Sequence, residues 1–199
     1  MTVTNDIRVR EHGVDPEFPA RWSPRAFTGE AIPDDTLMTM FEAARWAPSC
    51  FNEQPWRFLY AKKDAAHWPT FLNLLVPGNQ AWAQNASVLG VVVSKTLLER
   101  PGVDPAPSHS HSYDAGAAWM SLALQAWKLG WAAHGMVGFD IPRTYVELHV
   151  PEHHRVEAAF AIGRPTSAEV LPEALAAREH PNDRRPLADL IFEGGFPKP

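Results

Sequence analysis

The sequence predicts a single domain in which helices and strands alternate, and three stretches carry that reading. Leu37, Met40, Phe41 and Ala44 recur at helical spacing, and Trp56, Phe58 and Tyr60 then alternate as in a half-buried strand. An unbroken run without polar side chains, Val88–Val93, has strand length and is read as the strand Val88–Ser94. From Tyr113 to Leu129 comes the longest helix, apolar around nearly its whole circumference and stopped by Gly130.

The totals agree with one compact domain. The chain has 199 residues, 45% of them apolar, which suits a globular fold rather than disorder. A net charge of −5 argues against a nucleic-acid partner. One cysteine excludes an internal disulfide framework and fits a reducing, cytoplasmic setting. No apolar run approaches a membrane span, and residues 1–20 hold no signal-peptide core.

Taken in order, residues 1–20 read as a loosely packed arm. Arg21-Trp22-Ser23-Pro24-Arg25-Ala26-Phe27 follows, with two cations and a hydroxyl within five residues. It is either a solvated turn or an anion site, since arginine's forked donors suit phosphate. Pro33-Asp34-Asp35 opens the first helix, with carboxylates where the helix dipole favours them. Pro48 ends it, because a residue before proline avoids the helical region.

Ala47-Pro48-Ser49-Cys50-Phe51-Asn52-Glu53-Gln54-Pro55-Trp56 then joins helix to strand. It is an ordinary connection, or one whose free backbone N–H groups, with Ser49, Asn52 and Gln54, meet the polar edge of a flat ligand. Asp64–Leu75 reads as a helical stretch interrupted by Pro69, and Pro77-Gly78 as a turn. Asn79 opens a further helical segment as its cap. Glu99–Ser112, with three prolines and no periodicity, reads as a long loop that shapes a substrate pocket. The helix Tyr113–Leu129 is either a central core helix or also a dimer seam, its tryptophans and methionine being the residues interfaces favour. Strands follow at Trp131–Val137 and Val156–Ile162, and Asp140 caps a helix before Pro142. The tail carries a short helix, Glu173–Arg178, and Leu190, Ile191 and Phe192 as a docking strand or arm. With a single cysteine there is no Cys/His zinc motif, and scattered histidines are usually surface or hydrogen-bonded residues, so no metal is expected.

Several of these pieces resemble one family. Ala47–Trp56 is similar to the A-P-S-x-x-N-x-Q-P-W signature of the nitroreductase family, and Arg21–Phe27 to its R-x-S-x-R-x-F opening. The D-x-G-A-A-W-M run from Asp114 resembles its central dimer helix. Gly135-Met136-Val137-Gly138-Phe139-Asp140 matches its G-x-x-G-F-D segment, and Arg184-Arg185-Pro186-Leu187 its late arginine motif. The resemblance spans about residues 21–192. It implies the nitroreductase α+β fold, three-layer-like, with a mostly antiparallel central sheet flanked by helices. It implies one FMN-binding domain over 21–192, an N-terminal arm over 1–20 and a tail over 193–199.

The resemblance also implies a cofactor and a site. Arg21, Ser23, Arg25 and Arg185, with Arg184 as second choice, would hold the FMN phosphate and ribityl chain, Trp22 taking part through its backbone. Asn79 would meet the polar edge of the ring. The backbone of Met136, Val137 and Gly138 would lie near flavin N5, with Gly135 also against the cofactor and no side chain acting as catalyst. Pro48, Ser49, Cys50, Asn52 and Gln54 would lie along the flavin of a partner copy in a homodimer. Arg25 is the cation expected to favour the reduced flavin, since this chain has Trp82 where some members have lysine. The activity implied is hydride transfer from NADPH or NADH, through flavin N5, to a nitroaromatic, quinone or enone by a ping-pong route. The alternative is an FMN-sequestering or redox-sensing protein without fast turnover.

Overall fold

The computed structural model describes residue 8 and residues 10–197. Of the expected arm and tail, residues 1–7, 9, 198 and 199 lie outside the described residues.

A sheet of four antiparallel strands forms the centre, in the order β1 (Trp56–Lys62), β2 (Val88–Lys95), β6 (His154–Gly163) and β5 (Ala132–Met136). The register runs from Trp56 opposite Ser94 to Lys62 opposite Val88, and from Ala132 opposite Gly163 to Met136 opposite Ala159. Side chains alternate along β2, and both faces are covered, so it is buried from Val88 to Ser94. Leu89, Val91 and Val93 join one core, with Trp68 and Phe71 of α3 (Trp68–Leu74) and Trp82 of α4 (Pro77–Ala83). Val88 and Val92 join the other, with Leu37 and Met40 of α2 (Asp34–Arg45) and Ala118 and Leu122 of α5 (His111–Lys128). Helices on both faces give the three layers expected. Only one face of α5 is buried, through Ala115, Ala118, Leu122, Ala123 and Ala126; Trp119, Met120 and Trp127 are half-buried and Tyr113 is exposed. Gly130, at φ +75°, ends this helix in a conformation costly for other residues.

β1 is not a one-faced strand, because Ala61 and Leu59 pack into the core opposite Trp56 and Phe58. Pro69 and Pro77 start α3 and α4 instead of interrupting a helix or marking a turn, since a first-turn proline forfeits no helical hydrogen bond. Asn79 therefore lies inside α4, whose N-cap is Val76. Most of the expected loop 99–112 is ordered. β3 (Leu97–Arg100) and β4 (Val103–Pro107) form a hairpin closed at Pro101-Gly102, and α5 already begins at His111. Within the arm, α1 (Glu17–Ala20) precedes α2, so the helix at Asp34 is the second. α6 (Ile141–Glu147) carries the expected cap, Asp140 accepting from the Arg143 N–H at 3.0 Å. α7 (Glu173–Ala176) lies in the tail, but Leu190–Phe192 form no strand and are exposed.

Candidate functional site

Two separate regions gather the expected residues. The first is a cavity of about 460 Å³ at the end of the sheet where the N-terminal and C-terminal segments meet. Arg21, Trp22, Ser23 and Arg25 line one side, His134 of β5 lines the floor, and Arg8, Arg178, His180, Asn182 and Arg184 close the rest. Arg21 Nη1 points to Ser23 Oγ at 3.4 Å, whereas its buried Nε–H has no acceptor. Burial, then the nearby Arg184 charge, pull the Arg21 guanidinium below its ordinary value. A buried donor with no acceptor is costly, and an anion entering the cavity would relieve that cost.

One carboxylate shapes this region from beneath. Glu179 Oε1 accepts the Arg25 and Ala26 N–H groups at 2.5 and 2.8 Å, and Oε2 lies 3.5 Å from Arg25 Nη1. The Glu179 side chain is only 3% exposed, so this is a fixed strut under the anion segment. It also offsets part of the Arg25 charge expected to act on the ring. His134 donates from Nδ1 to the Pro24 carbonyl at 2.9 Å, and its ring centroid lies 4.7 Å from that of Trp82. Burial pulls the His134 imidazole below its ordinary value; the Pro24 contact opposes that shift and the Arg25 charge adds to it.

The second region is the Ala47–Trp56 connection. Phe51, Asn52 and Gln54 all have positive φ, at 51°, 58° and 49°. Each left-handed residue outside glycine costs about 1–2 kcal/mol, so something must hold this shape. Asp114, buried on α5, does so: its Oδ2 accepts the Cys50 N–H at 3.1 Å and the Ser110 hydroxyl at 3.0 Å. Ser49 Oγ accepts the Gln54 N–H at 3.0 Å, and Gln54 Nε2 donates to the Asn52 carbonyl at 2.9 Å. Ser49 and Gln54 are thus engaged within the loop. Cys50, Phe51 and Asn52 are left exposed, and the Arg100 guanidinium of the hairpin lies 4.4 Å over the Phe51 ring.

Gly135–Gly138 runs off the end of β5. Asn79 Nδ2 donates to the Gly138 carbonyl at 3.0 Å, and a Cβ on Gly138 would come within 2.7 Å of that nitrogen, so a side chain there would push the Asn79 amide aside. Met136 is buried and Val137 is 83% exposed. A smaller apolar cavity, about 110 Å³, is walled by Gly135, Trp119 and Gly116.

Ala47–Trp56 contributes no residue to the cationic cavity, so one chain does not bring the two regions into one pocket. Arg184 lines the cavity, whereas Arg185, the first choice from sequence, is exposed and does not. Arg8, His134, Arg178, His180, Glu179 and Asp114 escaped notice as site residues. A single residue at no fixed spacing carries no motif, and only Asp114 lay within a matched run.

The comparisons point the same way. The model of the nitroreductase family matches residues 19–75, a span that contains both the Arg21–Arg25 segment and the Ala47–Trp56 loop. A crystal structure described as an oxidoreductase containing FMN superposes with a TM-score of 0.93 at 51% identity, covering 98% of each chain. A putative nitroreductase from Desulfovibrio desulfuricans, in complex with FMN, gives a TM-score of 0.68 at 28% identity over 92% of this chain and 99% of that one. An NADH dehydrogenase of Thermus thermophilus is 27% identical over 200 residues, 86% of this chain and 91% of its own. The fold and the paired motifs place the chain among α+β oxidoreductase-type folds. It belongs to the nitroreductase family.

Proposed function

We propose that the chain is an FMN-dependent oxidoreductase that draws on NADH or NADPH and reduces a small aromatic or conjugated acceptor, such as a nitroaromatic, quinone or enone, by a ping-pong route. The observation that carries this is the cationic cavity with the unpaired, buried Arg21 Nε–H, which fits the phosphate of FMN. Arg21, Ser23, Arg25 and Arg184 hold that phosphate by charge-assisted hydrogen bonds. When bound, FMN supplies the hydride chemistry at N5, and the protein supplies binding, orientation and electrostatics. Asn79 fixes the Gly138 backbone, so the Gly135–Gly138 segment presents N–H groups at a set height beside the sheet. No side chain is assigned as a catalytic acid or base.

The site is shared between two copies of the chain. Ser49, Cys50 and Asn52 come from one copy, and Arg21, Ser23, Arg25 and Arg184 from the other. The separation of the two regions within one chain supports this, as does the half-buried apolar side of α5. Among the described residues no helix is long and apolar enough to cross a membrane.

An absorbance spectrum of the purified protein, followed by anaerobic addition of NADPH and then NADH, tests the reading. Oxidised-flavin bands that bleach promptly are expected, and the faster donor gives the cofactor preference. Bands that persist would point instead to flavin sequestration. No bound flavin, even after FMN is added, would contradict the proposal.

A further inference from the structure

The cavity carries five arginines, and two of them, Arg8 and Arg178, come from outside every matched motif. Arg8 donates from Nε to the Asn182 carbonyl at 2.9 Å and from Nη1 to the Pro19 and Arg21 carbonyls at 2.6 and 2.7 Å. Three backbone segments, before and within the anion segment and in the C-terminal tail, are thus tied to one guanidinium. A guanidinium has five N–H donors. Among the described residues these contacts use Nε and Nη1 and leave the Nη2 amino group on a side chain that lines the cavity. A second tie joins the same pieces of chain, Glu11 Oε1 accepting the Leu187 N–H at 2.9 Å.

We infer that Arg8 binds the cofactor phosphate, so that phosphate binding and docking of the N-terminal arm onto the Asn182–Leu187 segment are one linked event. The inference rests on the FMN reading and adds to it a residue and a consequence. Arg8 faces Arg21 and Arg184 as like charges, and Asp183 offsets them only in part. A dianion among these three arginines turns that repulsion into attraction. Arg8 cannot move toward it without carrying Pro19, Arg21 and Asn182 along. Binding to the docked form alone stabilises that form by mass action.

Riboflavin, which lacks the phosphate, separates the possibilities. Dissociation constants for FMN and riboflavin are measured by flavin fluorescence with wild type, Arg8→Ala, Arg8→Lys and Arg10→Ala. Arg8→Ala is expected to weaken FMN about 10- to 100-fold, the range for one lost charge-assisted hydrogen bond, and to leave riboflavin within about 2-fold on the same ground. Arg8→Lys keeps the charge and is expected to fall between, and it decides the matter if the alanine variant does not fold. Arg10→Ala removes the same charge outside the cavity and is expected to change neither constant. Inorganic phosphate is expected to slow proteolytic cleavage of the arm in wild type and not in Arg8→Ala. FMN binding that is unchanged in Arg8→Ala, or weakened equally with riboflavin, overturns the inference and leaves the FMN reading standing. A wild type with no preference for FMN over riboflavin overturns both.

Discussion

The cationic cavity and the Ala47–Trp56 loop are built by opposite means. The cavity relies on side-chain charge: five arginines, two histidines and a single buried carboxylate strut. Among the described residues, none of its lining from Arg21 onward is held at positive φ. The loop relies on backbone shape: three left-handed residues within four positions, held by the Asp114 carboxylate through Cys50 N–H. Charge reads an anion at whatever angle it arrives, whereas a fixed backbone reads the edge of a rigid, planar group. The two regions therefore suit the two ends of one ligand, and each should fail in its own way.

The largest effect is expected at the charged end. Arg21→Ala should weaken FMN about 100-fold, at the upper range for charge-assisted contacts, with riboflavin little changed. Equal losses for both flavins would place Arg21 in the scaffold instead. At the shaped end the deficit should be one of stability and affect both flavins alike. Asp114→Ala leaves Cys50 N–H without its buried acceptor and should cost about 2 kcal/mol, read from urea unfolding, with flavin occupancy lost whether or not phosphate is present. Unchanged stability would show that the loop holds its shape unaided.

Two smaller effects sharpen the contrast. Phe51→Gly should raise stability by about 1 kcal/mol, by relieving a left-handed residue, because the residue is 66% exposed and little packing is lost. A loss would mean that the Arg100 stack outweighs the strain. His134 holds its proton less tightly when folded than unfolded. Its contribution is therefore full above pH 6.5 and declines as pH falls below that value, until the folded form also takes up the proton. His134→Gln should flatten that limb of a stability profile taken between about pH 5 and 8. A profile unchanged by the substitution would assign the limb to another group. Cys50 should matter least. It meets Asp114 through its backbone, so Cys50→Ser should leave flavin binding and turnover as they are, and loss of turnover with flavin still bound would show a redox role for the thiol.

Legibility in the sequence followed the same division. α2, β2 and α5 were readable because burial imposes a period on side chains, and Arg21, Ser23, Arg25 and the Ala47–Trp56 loop because their residues are contiguous. The β3–β4 hairpin was not, since its prolines argue against strands; they are tolerated there because the hairpin is an exposed two-stranded unit, and Pro101-Gly102 was the turn signal that could have revealed it. Pro69 and Pro77 misled for a related reason: proline interrupts a helix only beyond its first turn. Asp114 was visible as a helix residue, but its hold on Cys50, 64 positions away, is a tertiary fact. Arg8, His134 and Glu179 reach the cavity from three distant segments, and no local pattern announces such a meeting.

The central claim is that one functional site combines the cavity of one copy with the loop of another, and mixing two defective chains tests it most directly. Arg21→Ala and Asp114→Ala proteins, each expected to lack bound flavin alone, are combined under conditions that exchange subunits, then assayed for flavin and NAD(P)H oxidation. If the site is shared, random pairing makes half of the dimers mixed, each with one intact site, and about a quarter of the wild-type level should return. Mixed dimers that form and recover nothing would mean that each chain builds its site alone.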